Sequence, residues 1–355
     1  MSSDVEIEKV VFLLVSNIVT IMYDKTIDHT SVLTNKINSG IVYIKIKKRR
    51  HLTMNEVVTR IEQLKKEKDA VILAHYYVSD EVQAIADYIG DSYYLSKIAM
   101  EIPQKTICFA GVSFMGESAK ILNPQKTVIL PEEGADCPMA HMADIDKIKE
   151  MREKYEDLAV VCYINSTAEL KTYSDVCVTS ANALKIVNAL PNKNIYFIPD
   201  ENLGRYIASK VPDKNFIFND GFCHVHTSIS KENVLKAKAA KPGMKVLVHP
   251  ECKMEILELA DYIGSTSGII DYATASNDKE FLICTEMGVL YELKQKNPDK
   301  SFYSVGHRQF CPNMKKITLD KIAKCLENMS PTVEIDEEKR IAANAPLIRM
   351  LELAK

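Results

Sequence analysis

Ile72–Ser92 (ILAHYYVSDEVQAIADYIGDS), Val160–Ser180 (VVCYINSTAELKTYSDVCVTS) and Val246–Thr266 (VLVHPECKMEILELADYIGST) are three versions of one pattern. Each opens on a short apolar run of the kind that forms a buried strand, and the runs end at His75, Tyr163 and His249. Six residues further on stands a glutamate (Glu81, Glu169, Glu255), twelve on an aspartate (Asp87, Asp175, Asp261), and seventeen on a hydroxyl (Ser92, Ser180, Thr266). Repetition at fixed spacing marks duplicated structural units, and it governs the reading of every shorter motif.

The likeness continues downstream. ICFAGVSFMGESAKILNPQK, YFIPDENLGRYIASKVPDK and LICTEMGVLYELKQKNPDK each read as strand, helix and then P-x-K, at Lys126, Lys214 and Lys300. Thirteen, eleven and thirteen residues after the three prolines come Cys137, Cys223 and Cys311. Alternation of short apolar runs with amphipathic segments predicts parallel sheets covered by helices. The expected fold is α/β: three homologous three-layer αβα units with short parallel sheets, set with pseudo-threefold symmetry around a central active site. The expected boundaries are an N-terminal extension over 1–53, units over 54–155 and 156–240, and a third unit with C-terminal helices over 241–355.

One loop cysteine per unit is what a threefold arrangement needs to bring three thiolates to one point. Zinc would require a fourth ligand, for which His224 or His226 is at hand. An iron-sulfur cluster, which normally takes four cysteines, would keep one iron open to substrate. The other six cysteines, Cys252 among them, have no equivalents across all three units and read as core or pocket lining. The matched strand ends His75-Tyr76-Tyr77, Tyr163-Ile164-Asn165 and His249-Pro250-Glu251 lie where ligands collect in parallel α/β units, beyond the carboxyl ends of strands. Ser92, Ser180 and Thr266 precede helical segments, so they read either as N-caps or as part of an anion site.

Bulk properties narrow the function. Lys and Arg total 45 against 48 Asp and Glu, a net charge of −3, which gives no support to a nucleic-acid surface; the one basic run, KIKKRR at 45–50, reads as a solvated end. Nine cysteines without a CxxC pair are unlike a small secreted scaffold and favour a reducing, cytoplasmic setting. The apolar stretch VVFLLVSNIVTIMY at 10–23 is too short for a span and follows acids rather than a basic leader, so no membrane anchor is expected.

With HYYVSDEVQAIADYIGDS, AGVSFMGESAKILNPQKTVILPEEGADCPMA, YINSTAELKTYSDVCVTSANA, HPEC followed by GSTSGI, and CPNMKKI in order, the chain resembles the quinolinate synthase family, iron-sulfur enzymes of NAD biosynthesis, over residues 54 to 350. The resemblance implies an enzyme, a condensing dehydratase that joins iminosuccinate to dihydroxyacetone phosphate and releases phosphate and water. It implies a 4Fe-4S cluster on Cys137, Cys223 and Cys311 with one open iron acting as Lewis acid, and a functional link to an aspartate oxidase or dehydrogenase that makes iminosuccinate. It places substrate on His75, Ser92, Tyr163, Ile164, Asn165, Ser180, His249, Pro250, Glu251 and Thr266, with Ser265 beside Thr266. Glu251 is implied as general acid/base, and His75 with Tyr77 in tautomerising the triose portion. Residues 1–53 fall outside the family pattern, so either Met54 is the natural start or the extension is an appendage; the C-terminal CxxC switch of some bacterial members is missing. Two other readings compete: a diphthamide-type radical enzyme using S-adenosylmethionine, and a non-catalytic binding protein stapled by zinc.

Overall fold

The computed structural model describes residues 53–306 and 308–355 together with three strands of the preceding segment. Those strands, β1 (Ile7–Val11), β2 (Val32–Asn35) and β3 (Tyr43–Lys47), pair antiparallel in the order β1-β3-β2. The rest of 1–52 lies outside the described residues, and so do the expectations that it is an appendage and that Met54 is the start.

The three repeats each build a four-stranded sheet. The first contains β4 (Ala70–His75), β5 (Tyr88–Gly90), β6 (Thr106–Ala110) and β7 (Thr127–Ile129). The second contains β8 (Leu158–Tyr163), β9 (Val176–Val178), β10 (Asn194–Ile198) and β11 (Asn215–Phe218). The third contains β12 (Lys245–Val248), β13 (Tyr262–Ile263), β14 (Glu280–Cys284) and β15 (Ser301–Ser304). All pairings are parallel, and the orders β5-β4-β6-β7, β9-β8-β10-β11 and β13-β12-β14-β15 share one topology. The central strands are buried along most of their length, as parallel strands with helices on their faces must be.

The repeated polar residues now separate into structural and site groups. Asp87, Asp175 and Asp261 each accept the backbone N–H of the opening strand, from Ile72 at 2.8 Å, Val160 at 2.7 Å and Val246 at 2.8 Å. Their own N–H groups return to the carbonyls of the same three residues, so each aspartate clamps the edge of its sheet. The lysines of P-x-K reach carbonyls at a helix C-terminus, where unsatisfied oxygens and the helix dipole favour a cation. Lys126 donates to Ala99 and Ile102, Lys214 to Leu190 and Asn192, and Lys300 to Ala273, Thr274 and Ser276. Glu81, Glu169 and Glu255 lie in the first turns of short helices, where the dipole favours an acid.

The cap reading of Ser92, Ser180 and Thr266 is corrected. Asp91 and Ser265, one residue earlier and in extended backbone, cap the helices Ser92–Glu101 and Thr266–Ala275. In the second repeat Asn182 precedes Ala183–Ala189. The three hydroxyls are thereby left for other partners.

The C-terminal segment returns to the earlier sheets. Leu319–Asn328 packs on β6, while Glu337–Leu353 packs on Ser113–Leu122, Ala168–Thr172, β9 and Ala183–Ala189. Leu130 N–H donates to the Pro331 carbonyl, and Val333 N–H to that of Val128.

Because the clamp is a hydrogen bond from a sheet N–H to a charged but exposed group, Asp261→Ala should lower stability by about 1 kcal/mol. Lys245 also loses its 3.4 Å ion-pair partner, a surface contribution of less than about 1 kcal/mol. A urea midpoint unchanged from wild type would show that the clamp stabilises nothing.

Candidate active site

One cavity gathers residues from the ends of all three repeats. Its wall includes His75, Tyr77 and Ser92 from the first, Tyr163, Asn165 and Ser180 from the second, and His249, Glu251 and Thr266 from the third. Cys137, Cys223 and Cys311 line the same cavity. Its empty space, open solvent at the mouth included, is about 780 Å³. Ile164 and Pro250 are buried next to lining residues but are not among them. Ser265 is engaged with the Gly268 N–H and also stands outside the lining.

The cysteines divide by accessibility. All nine are free; Cys137, Cys223 and Cys311 are part-exposed, and the other six are buried. Cys252, next to Glu251 in sequence, is packed in the core of the third unit with Cys284. Each of the three accessible cysteines opens a turn whose N–H groups face its sulfur: Met139 and Ala140 at Cys137, His226 at Cys223, Asn313 and Met314 at Cys311. Each is also held through its own N–H by a carboxylate. Asp136 accepts from Cys137 at 2.8 Å, Asp200 from Cys223 at 3.2 Å and Glu286 from Cys311 at 3.0 Å. Burial pushes all three thiols up, Cys137 to about 12, with Cys311 acting on Cys137 and Cys137 on Cys223. Thiols that perturb one another in two of the three pairs, in one cavity and supplied with N–H donors to sulfur, fit a thiolate-ligated metal group. Loading must release protons, because thiolates are the ligands.

Around this set runs a buried polar network. Tyr77 Oη lies 2.7 Å from Thr266 Oγ1 and 2.8 Å from Thr285 Oγ1, and Thr285 Oγ1 lies 2.9 Å from His226 Nε2. His226 Nδ1 is 2.6 Å from Glu251 Oε2, and its ring stacks on His249 with centroids 4.5 Å apart. His249 Nε2 is 3.2 Å from Ser180 Oγ. Burial alone would raise the Glu251 carboxyl, but His226, then His249 and the Tyr163 hydroxyl, hold it low. Burial keeps the Tyr77 and Tyr163 phenols protonated by pushing them well above their ordinary range. The cavity thus offers an ionised carboxylate beside neutral phenols, a set able to move protons and to donate hydrogen bonds. Asn165 Oδ1 and Asp91 Oδ2 are buried without a protein partner; both residues line the cavity, where a ligand would satisfy them.

Sequence reasoning missed Thr285, Asp91, Asp200 and Glu286, and weighed His226 only as a zinc ligand. Superposing YFIPD on LICTE would have flagged Asp200 and Glu286 as matched acids after the third strand. No local signal marks Thr285.

His75 and His249 carry a pH consequence. Burial drives both imidazoles down to about 3, with His226 adding to the effect at His249. They remain neutral when folded, whereas an unfolded chain binds a proton at each below about pH 6.5. The unfolded state then holds more protons, so stability is lost as pH falls from about 6.5 towards 3, by roughly 2–3 kcal/mol per unit at most. Urea midpoints at pH 7, 6 and 5 that failed to decline would contradict this.

A family model described as "Quinolinate synthetase A protein" matches residues 59–352. Three curated proteins named quinolinate synthase are similar to the chain. That of Fusobacterium nucleatum is 56% identical over 295 residues, covering 83% of this chain and 98% of its own. That of Caldicellulosiruptor saccharolyticus is 50% identical, covering 85% and 100%. That of Clostridioides difficile is 50% identical, covering 84% and 99%.

Proposed function

The chain belongs to the quinolinate synthase family, and from that premise we propose that it condenses iminosuccinate with dihydroxyacetone phosphate, giving quinolinate, one phosphate and two waters. The observation that carries the reading is that the only three part-exposed cysteines, one from each repeat, line one cavity with the three matched strand ends. Cys137, Cys223 and Cys311 would hold a 4Fe-4S cluster. When bound, a cluster with one iron free of protein ligands supplies a Lewis acid for substrate oxygen or nitrogen.

The remaining roles belong to the chain. Ser180 and Thr266 present hydroxyls for phosphate or carboxylate oxygens, and Ser92 and Asn165 add hydrogen-bonding groups on the same wall. Glu251, ionised and beside His226, takes and returns the protons that dehydration and ring closure move. Tyr77 and His75, in ring contact at 4.4 Å, shift protons on the triose portion. Burial of these groups keeps bulk water from competing for reactive imine.

Pseudo-threefold closure of the units over 54–155, 156–240 and 241–355 is part of this proposal, supported by the shared sheet topology and the common cavity. So are supply of iminosuccinate by an aspartate oxidase or dehydrogenase, and a cytoplasmic location. No described helix is long and apolar enough to cross a membrane. The test is anaerobic purification, iron and sulfide analysis, and an assay for quinolinate from the two named substrates. Quinolinate formation supports the reading. Cleavage of S-adenosylmethionine without quinolinate would replace it with the radical-enzyme alternative, and a zinc-containing chain that stays colourless and inactive after chelation and anaerobic loading with iron and sulfide would replace it with the stapled binding protein.

A further inference from the structure

We propose that the chain, before its cluster is inserted, holds a single zinc ion between Cys223 Sγ, His226 Nδ1 and Glu251 Oε2. One ligand atom from each of the three residues lies within 4.8 Å of the other two. Sulfur, imidazole nitrogen and carboxylate oxygen are the three donor types that zinc takes, and three protein ligands leave the fourth position to water.

The orientation of His226 is the second observation. Its ring is 1% exposed, and Glu251 Oε2 faces the buried Nδ1 at 2.6 Å. The pair shares a charge-assisted contact in the metal-free chain; zinc would take the place of the shared proton, the two atoms parting to the roughly 3.3 Å that tetrahedral ligands about 2.0–2.1 Å from the ion need. The other ring nitrogen is fixed by Thr285 Oγ1 at 2.9 Å, and Thr285 is fixed by Tyr77 at 2.8 Å. A ligating histidine is ordinarily steered in this way through its second nitrogen. Cys223 and His226 come from one turn, Cys223 preceding the helix His224–Thr227, so three-residue spacing sets them on the same side. Glu251 arrives from beyond the end of β12, with its N–H donating to His249 Nδ1 at 3.3 Å.

This site differs from the proposed cluster seat. It shares Cys223 but not Cys137 or Cys311, and it recruits the carboxylate assigned to catalysis. The two occupancies therefore exclude each other: zinc on this trio blocks one cluster ligand and removes Glu251 from proton transfer. The inference rests on the cluster reading only for that exclusion.

The test uses the full chain, stripped of metal by chelator and kept reduced and anaerobic. Cobalt(II) should give charge-transfer absorption of one thiolate, and zinc should bind one per chain against a chromophoric chelator. His226→Gln and Glu251→Gln should each weaken zinc binding by roughly tenfold or more, whereas Cys137→Ala and Cys311→Ala should change it less than about threefold. Zinc-loaded chain should take up iron and sulfide more slowly than stripped chain. A three-thiolate cobalt spectrum, or equal losses from Cys311→Ala and His226→Gln, would overturn the proposal in favour of a zinc staple on the three cysteines. Absence of stoichiometric zinc would overturn it outright. The cobalt spectrum is read on the unaltered chain, so a variant that fails to fold does not decide the matter. Stripped, zinc-free chain that cannot assemble iron and sulfide would instead count against the cluster reading and leave the zinc site standing.

Discussion

Cys311→Ala is expected to leave a folded chain that retains neither iron nor sulfide in stoichiometric amount and forms quinolinate no faster than the assay blank. Cys311 is part-exposed in a loop, not part of a packed core, so loss of its sulfur creates no buried cavity and costs little stability. Its other connections run through the backbone: its N–H donates to Glu286, and its carbonyl accepts from Lys315 N–H. Alanine keeps both. What goes, on the proposed cluster reading, is one of three thiolates in a set one short of the usual four. Cys252→Ala is the control. That sulfur is fully buried among Val246, Val248, Ile256 and Cys284, so its removal should cost about 1–2 kcal/mol and spare iron and sulfide. Iron and sulfide analysis beside a thermal melt separates the two cases. Cluster content retained in Cys311→Ala, or lost in Cys252→Ala, would mean that the cysteines have been assigned to the wrong jobs.

The contrast between those two cysteines shows what the sequence could and could not disclose. Three sheets with one topology followed from the apolar runs, because strand formation is local and each repeat carries its own signal. Cys311 was separable from Cys252 because it has counterparts in the other repeats, and accessibility divides the nine thiols along the same line. Periodicity alone did not say why other positions recur. Asp261 and Lys300 recur because every unit must clamp a strand and close a helix terminus, whereas Thr266 recurs at the cavity wall and leaves the cap to Ser265. Thr285 was invisible for a different reason. It meets Tyr77 across 208 positions and His226 across 59, and no spacing rule encodes contacts between units. Those contacts depend on how the sheets' carboxyl ends face one another, a property of packing rather than of any segment.

Glu251→Gln tests the proposed proton transfer without touching Cys137, Cys223 or Cys311. The side chain is 3% exposed, and glutamine matches it in shape, so the cavity keeps its form. Removing a buried charge lifts a desolvation cost while weakening the attraction to His226, and the two changes oppose each other. The melting temperature should therefore move little, and iron and sulfide should stay at wild-type levels because the three thiolates are intact. Turnover should fall by about 10²- to 10⁴-fold, the usual contribution of a positioned acid or base. The expected split is in kcat rather than KM, since Ser180, Thr266 and Asn165 still line the wall. A tenfold rise in KM with unchanged kcat would recast Glu251 as a binding residue. Turnover within about threefold of wild type would remove it from proton transfer, leaving Tyr163, whose hydroxyl helps hold the Glu251 carboxyl low, as the group to test next. His226→Gln read alongside tells whether the carboxylate acts alone. If the histidine's part is to keep Glu251 ionised, its loss lets burial raise the carboxyl, and the acidic limb of the kcat profile should move to higher pH while the Glu251→Gln profile loses that limb.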